Sequence, residues 1–293
     1  MQMNTIKKIA VVGSGAMGSQ IAMVCALGGY SVVLYDIESK SLDKAKQSLQ
    51  GHMNRRIQKG RVREEEVSEA FSNILFTEDL DELKDVDFVI EAIVEKLEVK
   101  RELFKRLDEI TPKHAILATN SSTIVSSKLA DATNRPEKVC NVHFFNPVLV
   151  MELVEIVSGS HTSEETAQIA VEVVKSIQKI PVLLKKEISG FVANRILAKL
   201  MDEAVFLLEN GYASHEEIDL VCTKALNHPI GPFALMDLTG IDVNYFVRMQ
   251  RYEESGNEAD MPAKIVQEKV RKGELGRKTG KGFYTYEQSS VEV

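Results

Sequence analysis

Short apolar runs alternate with longer charged segments through the first two thirds of the chain. The runs KIAVV (8–12), SVVLY (31–35), VDFVI (86–90), AILAT (115–119), VCNVHFF (139–145) and LVEIV (153–157) have the length and residue types of buried strands. Between them lie segments with helical periodicity, such as 95–110, where Leu97, Leu103, Phe104 and Leu107 share one face. This alternation predicts an α/β fold, a mostly parallel sheet with helices on both faces. From about residue 187 the pattern changes. Residues 191–211 read as one long helix ended by Gly211, and 214–226 opens with a Ser214 cap and Glu217 three residues on. No alternation at period two follows until GFYTY (282–286). Two domains are expected, an α/β domain over 1–187 and an all-helical domain over 188–293.

Composition narrows the partners. With 44% hydrophobic and 27% charged residues the chain has ordinary globular character, and its 293 residues suffice for two cores. A net charge of -7 argues against general nucleic-acid binding, which needs concentrated positive charge. Cys25, Cys140 and Cys222 are odd in number and widely spaced, fitting neither a disulfide framework nor a metal site, so none is expected. The N-terminal apolar run is too short for a signal segment, and no stretch approaches the roughly 18 apolar residues of a spanning helix. A cytoplasmic protein without membrane contact is the expectation.

The first chemical motif follows the first strand. In VVGSGAMGSQIA, Gly13-x-Gly15-x-x-Gly18 stands between a strand and a helix. There the glycines permit a tight turn, close backbone approach to a pyrophosphate, and close helix–strand packing. The second strand ends in Asp36, 18 residues past Gly18. A carboxylate at that point accepts hydrogen bonds from ribose hydroxyls and repels a 2′-phosphate, which favours NAD over NADP. A glycine-rich turn with an ordinary cap is the bland alternative. The motif in its context predicts a Rossmann-type NAD-binding domain.

The second motif is NVHFFNP (141–147), one of six histidines set against Phe144 and Phe145. By itself His143 reads more readily as a packed core residue than as a base. Glu155 lies in the next apolar run, between Val154 and Ile156, and a buried carboxylate needs a partner. A histidine on the neighbouring strand would supply one, and a His–carboxylate pair fixes the tautomer and raises the basicity of the other ring nitrogen.

HFFNP with its Glu in LVEIV, NSS (120–122), GFVANR (190–195) and GRKTGKGFY (276–284) stand in an order that resembles the L-3-hydroxyacyl-CoA dehydrogenase family over nearly the whole chain. The shorter bacterial 3-hydroxybutyryl-CoA enzymes are most similar. The resemblance implies an NAD-dependent oxidation of a short-chain (S)-3-hydroxyacyl-CoA. His143 is then the general base, Glu155 its orienting partner, and Ser122 and Asn194 the substrate-binding members of the catalytic set. It further implies Asp36, Glu95, Lys100, Asn146 and Lys278 as cofactor contacts, and a homodimer.

Each of these has a plainer reading. Ser122 could cap a following helix, Glu95 and Lys100 could belong to a solvated helix face, and Lys278 could be loop chemistry. Arg55, Arg56 and Lys59 share a helical face by spacing. Lys59 is the position the resemblance assigns to coenzyme A, although His52 stands where relatives carry a small hydroxyl residue. Glu152 and Ser189 are further departures, replacing a common lysine and a common proline. A β-hydroxyacid dehydrogenase acting on free acids, and a non-enzymatic NAD-binding relative, are the competing expectations. The first relies on a catalytic lysine, and the second predicts loss of one of His143, Glu155, Ser122 and Asn194, all of which are present.

Overall fold

The computed structural model describes residues 6–287. Eight strands form one sheet: β1 (Lys8–Val12), β2 (Ser31–Tyr35), β3 (Ile74–Thr77), β4 (Phe88–Glu91), β5 (Ile116–Thr119), β6 (Val139–Phe144), β7 (Leu153–Val157) and β8 (Ile180–Leu184). The helices around it are α1 (Ala16–Leu27), α2 (Ser39–Gln58), α3 (Glu64–Ser72), α4 (Leu97–Ile110), α5 (Ser127–Ala130) and α6 (Glu164–Ser176). A second group comprises α7 (Ala193–Glu209), α8 (His215–Lys224), α9 (Pro232–Thr239), α10 (Ile241–Ser255) and α11 (Lys264–Arg271). The chain divides into two compact units, 1–191 and 192–293.

In the first unit the strand order is β3-β2-β1-β4-β5-β6-β7-β8. All neighbours are parallel except β6 and β7, which are antiparallel. The period-two alternation of strand side chains sends successive residues to opposite faces. Ile9, Val11, Ile90, Ala118, Val142 and Ile156 pack with α1, α2, α3 and α6, whereas Ala10, Val12, Val89, Leu117 and Val139 pack with α4 and α5. By the same alternation Glu91, Thr119, Asn141, His143 and Glu155 share the α4–α5 face. Polar residues thus take over that face where the apolar layer ends.

The strands expected from residues 86–90, 115–119 and 139–145 are observed at 88–91, 116–119 and 139–144. Two strands, β3 and β8, were not expected, and they are the two edges of the sheet. Edge strands bury less. In β8, Ile180 is 54% exposed and Pro181 interrupts the usual pattern, which an edge tolerates. Pro147 lies three residues beyond the end of β6.

The second unit is helical. Ser214 and Glu217 form the expected reciprocal cap of α8. The GFYTY segment makes one isolated bridge, from Thr285 to Lys281, in place of a strand. It is held by Asp237, a buried carboxylate that accepts from the Phe283 and Tyr284 amides and the Tyr286 hydroxyl. Among the described residues no helix is long and apolar enough to cross a membrane, and Cys25, Cys140 and Cys222 are free and buried.

Candidate active site

Strand order reverses between β1 and β4, so the crevice outside their carboxyl ends is where an open α/β sheet binds a ligand. The glycine turn sits there. Gly13 has φ +102°, and a Cβ on it would lie 2.6 Å from the Ala92 carbonyl oxygen. A Cβ on Gly18 would fall 1.8 Å from the Gly13 carbonyl oxygen, so only glycine lets α1 pack this close to the turn. Gly15 differs, since nothing lies within 4 Å of its Cβ position. Its surroundings are open, as a backbone meant to approach a ligand requires. Gly15 also caps α1, whose first turn has neither a side-chain cap nor an acidic residue. Those amides and the positive end of the helix dipole fit a pyrophosphate.

Asp36 completes this half. Its Oδ2 accepts from the Ser14 amide and hydroxyl, both at 2.7 Å, and its Oδ1 accepts from the Glu38 amide at 3.1 Å. The carboxylate is therefore locked against the glycine turn while remaining half-buried at the end of β2. The residues fit a dinucleotide with free ribose hydroxyls.

The other side of the crevice corrects an expectation. Lys100 is not on a solvated face. It is 1% exposed, and its Nζ lies 2.5 Å from Glu91 Oε1 and 3.2 Å from Glu95 Oε2. Glu95 lies two residues before α4 and is exposed. Glu91 is fully buried and also accepts from the Thr119 hydroxyl and the Ile93 amide, each at 2.7 Å. Thr119 in turn accepts from the Ser121 amide at 3.1 Å. Ser121 donates its hydroxyl to Glu95, which also accepts from the Thr123 hydroxyl at 2.7 Å. Burial opposes ionisation of Glu95, but the Ser121 hydroxyl, the Lys100 ammonium and the Thr123 hydroxyl outweigh it and hold the carboxyl below its usual range. The loop 120–124 is tied into a closed ring of hydrogen bonds.

That ring carries Ser122, which is half-buried and has no hydrogen-bond partner among the described residues. Ser122 does not cap α5; the cap position belongs to Ser126. Asn120, beside it, accepts from the Phe144 amide at 2.9 Å and so couples the loop to β6.

His143 and Glu155 are register partners on β6 and β7. His143 Nδ1 stands 3.0 Å from Glu155 Oε2, with His143 5% and Glu155 2% exposed. A carboxylate accepts only, so the bond places the proton on Nδ1 and leaves Nε2 as a lone-pair base. The imidazole is walled by Phe145, with ring centroids 4.6 Å apart, and by Phe191 at 5.4 Å. His143 ends near the carboxyl edge of β6, the same edge that carries the glycine turn and Glu91.

The remaining candidates are placed as follows. Asn146 is exposed in the turn after β6, and its peptide bond to Pro147 is cis. Lys59 is exposed at the carboxyl end of α2, where a cation suits the helix dipole. Its expected face is broken up, because Arg56 turns away to donate to the Leu149 carbonyl at 2.9 Å and Arg55 meets His52. Asn194 and Lys278 lie in the second unit. Asn194 is half-buried in the first turn of α7, and Lys278 is ion-paired with Asp242 at 2.5 Å. Glu91, Thr119 and Ser14 were absent from the expected set. Glu91 had a visible signal: like Asp36 after SVVLY, it is a carboxylate that closes an apolar strand.

The chain is similar to known proteins over nearly its whole length. Residues 8–188 match the family model "3-hydroxyacyl-CoA dehydrogenase, NAD binding domain", and residues 190–286 match "3-hydroxyacyl-CoA dehydrogenase, C-terminal domain". The chain is 41% identical over 279 residues to a 3-hydroxybutyryl-CoA dehydrogenase of Clostridioides difficile, covering 95% of this chain and 99% of that one. A probable 3-hydroxybutyryl-CoA dehydrogenase of Bacillus subtilis is 38% identical over 285 residues, covering 97% and 99%. The crystal structure of (S)-3-hydroxybutyryl-CoA dehydrogenase from Ralstonia eutropha superposes with a TM-score of 0.90 at 38% identity, over 97% of this chain and 100% of that one.

Proposed function

The chain belongs to the 3-hydroxyacyl-CoA dehydrogenase family, and from that premise we propose how its residues carry out the reaction. The enzyme is an NAD-dependent dehydrogenase that oxidises a 3-hydroxyacyl-CoA reversibly to the 3-oxoacyl-CoA. We take the short-chain pair 3-hydroxybutyryl-CoA and acetoacetyl-CoA as its substrates, as the names of its relatives suggest. The observation that carries the mechanism is the His143–Glu155 pair in an apolar wall at the carboxyl edge of the sheet.

When bound, NAD supplies the acceptor for the hydride lost from C3. His143 takes the hydroxyl proton at Nε2 as the C–O bond becomes a carbonyl. Glu155 holds Nδ1–H, keeps the ring oriented, and offsets the positive charge that the imidazole gains. Phe145 and Phe191 limit water at the ring, which strengthens that interaction. In the reductive direction the same nitrogen returns the proton. Ser122, on its tied loop, and Asn194, from the second unit, would hydrogen-bond the substrate oxygen. Asp36, Glu95, Lys100, Asn146 and Lys278 would serve the cofactor, and Lys59 a phosphate of coenzyme A.

The division of labour is a cofactor domain over 1–187 and a substrate and dimerisation domain over 188–293. A homodimer is supported by apolar side chains left exposed in the second unit, among them Ile196, Phe206, Tyr212 and Phe246. The reading also makes the enzyme cytoplasmic and free of nucleic acid, in line with its acidic balance and unpaired cysteines.

The test is to mix the purified protein with acetoacetyl-CoA and NADH and follow nicotinamide absorbance. Oxidation of NADH dependent on the thioester is expected. Turnover of a free hydroxy acid with none of the thioester would overturn the assignment.

A further inference from the structure

Among the described residues around the crevice, Glu91 is the one fully buried carboxylate that the proposed reaction leaves without a task. Its place is specific. Val12 and Glu91 are register partners at the carboxyl ends of β1 and β4, the two strands between which strand order reverses. The glycine turn begins one residue after Val12, and Gly13 packs against Ala92, the residue after Glu91. No residue of β1 or β4 is nearer the dinucleotide crevice than this pair.

The charges around Glu91 do not balance. Glu91 and Glu95 both face the single ammonium of Lys100, at 2.5 and 3.2 Å. The other partners, the hydroxyls of Thr119, Ser121 and Thr123 and the amide of Ile93, are neutral donors. The group holds two formal negative charges against one positive. A structural ion pair would need only one carboxylate; the second, Glu95, keeps 40% of its side chain exposed, so the surplus charge is partly solvated. The ligand of this crevice exists in two redox forms that differ by one positive charge on the nicotinamide ring.

We infer that Glu91 is a positioning and redox-discriminating residue: it anchors Lys100 and the 119–124 loop, and the surplus negative charge it creates favours the oxidised, cationic dinucleotide over the reduced one. The inference rests on NAD being the cofactor. A unit charge acting across a partly buried crevice is felt over several ångströms, because the surroundings screen it less than water does. Glu91→Gln keeps the size and an acceptor for Lys100 and Ile93 but brings the group to neutrality. Thr119→Val removes a hydrogen bond to Glu91 without changing any charge. Glu95→Gln makes the same charge change at a partly exposed position, which accommodates substitution more easily than a buried one.

The experiment measures equilibrium affinity for NAD+ and for NADH in each purified variant, by NADH fluorescence and by displacement with NAD+. In Glu91→Gln the ratio of the two affinities should shift toward NADH by about tenfold. Glu95→Gln should shift it in the same direction by a smaller factor, and Thr119→Val should lower both affinities together and keep the ratio. An unchanged ratio in Glu91→Gln, or an equal shift in Thr119→Val, overturns the inference. Should Glu91→Gln not fold, an unchanged ratio in Glu95→Gln overturns it as well. Failure of the wild type to bind either dinucleotide would instead overturn the NAD assignment.

Discussion

Glu155 Oε2 lies 3.0 Å from His143 Nδ1 across an antiparallel pair of strands. The two residues are 12 apart in sequence, and the register of β6 and β7 makes them opposite neighbours. Because the other strand pairs are parallel, this is the one place in the sheet where a short connection returns the chain directly to its partner strand. The pairing is built into the topology and does not depend on loop conformation.

The first prediction concerns the charge on Glu155. Glu155→Gln keeps a hydrogen-bond partner for Nδ1–H but removes the negative charge that stabilises the imidazolium. The oxidative rate should fall by about 10- to 100-fold while NADH affinity stays near wild type. A rate within a factor of about two of wild type would mean that Glu155 is merely structural.

The glycines separate folding from binding. A Cβ on Gly18 would meet backbone at 1.8 Å, which no side-chain rotation relieves. Gly18→Ala should therefore destabilise the apoprotein by about 3 kcal/mol or more. Gly15 has open space around its Cβ position. Gly15→Ala should leave the apoprotein's thermal midpoint within a degree or two, because a surface change costs at most about 0.5 kcal/mol. It should weaken NADH binding nonetheless. Equal thermal losses in both variants would remove the argument that Gly15 exists for the ligand.

Acid sensitivity follows from Glu95. Its carboxyl is held below the ordinary value of 4.5 in the folded protein by the Ser121, Lys100 and Thr123 contacts, against the opposing effect of burial. A depressed native value means the folded state binds the proton less readily than the unfolded chain does. The stabilisation is thus complete above about pH 4.5 and is lost as pH falls through the lower native value. The stability difference between wild type and Glu95→Gln should be about 1 kcal/mol at neutral pH, allowing for screening of a partly exposed group. It should shrink in denaturant titrations as pH is lowered below 4.5. A difference that grew on acidification would contradict the direction of the shift.

Much of this molecule was legible in the order of its residues. The Gly13–Gly18 turn, Asp36 and the buried strands follow from local rules, since a parallel sheet covered on both faces requires short, continuous apolar runs. The edges were hidden for another reason: β3 is an apolar run of only four residues, and Pro181 interrupts the run that forms β8, so neither reads as a buried strand. His143 and Glu155 could be paired by argument because both interrupt apolar strands. The Glu91–Lys100–Glu95 group could not. Lys100 sits among Glu98, Arg101 and Glu102, and on that pattern it reads as one more solvated charge. Its burial depends on how α4 meets the ends of β4 and β5, which spacing along the chain does not encode. Asn194 and Lys278 are polar residues of ordinary helical and loop settings, and the resemblance alone singled them out.

The central claim is that His143 carries the proton. His143→Ala, assayed for NADH-dependent reduction of acetoacetyl-CoA alongside NADH affinity, tests it most directly. The account predicts a fall in kcat of about 10²- to 10⁴-fold, with NADH affinity within a factor of about two of wild type. Turnover within tenfold of wild type would show that another group moves the proton and would contradict the account.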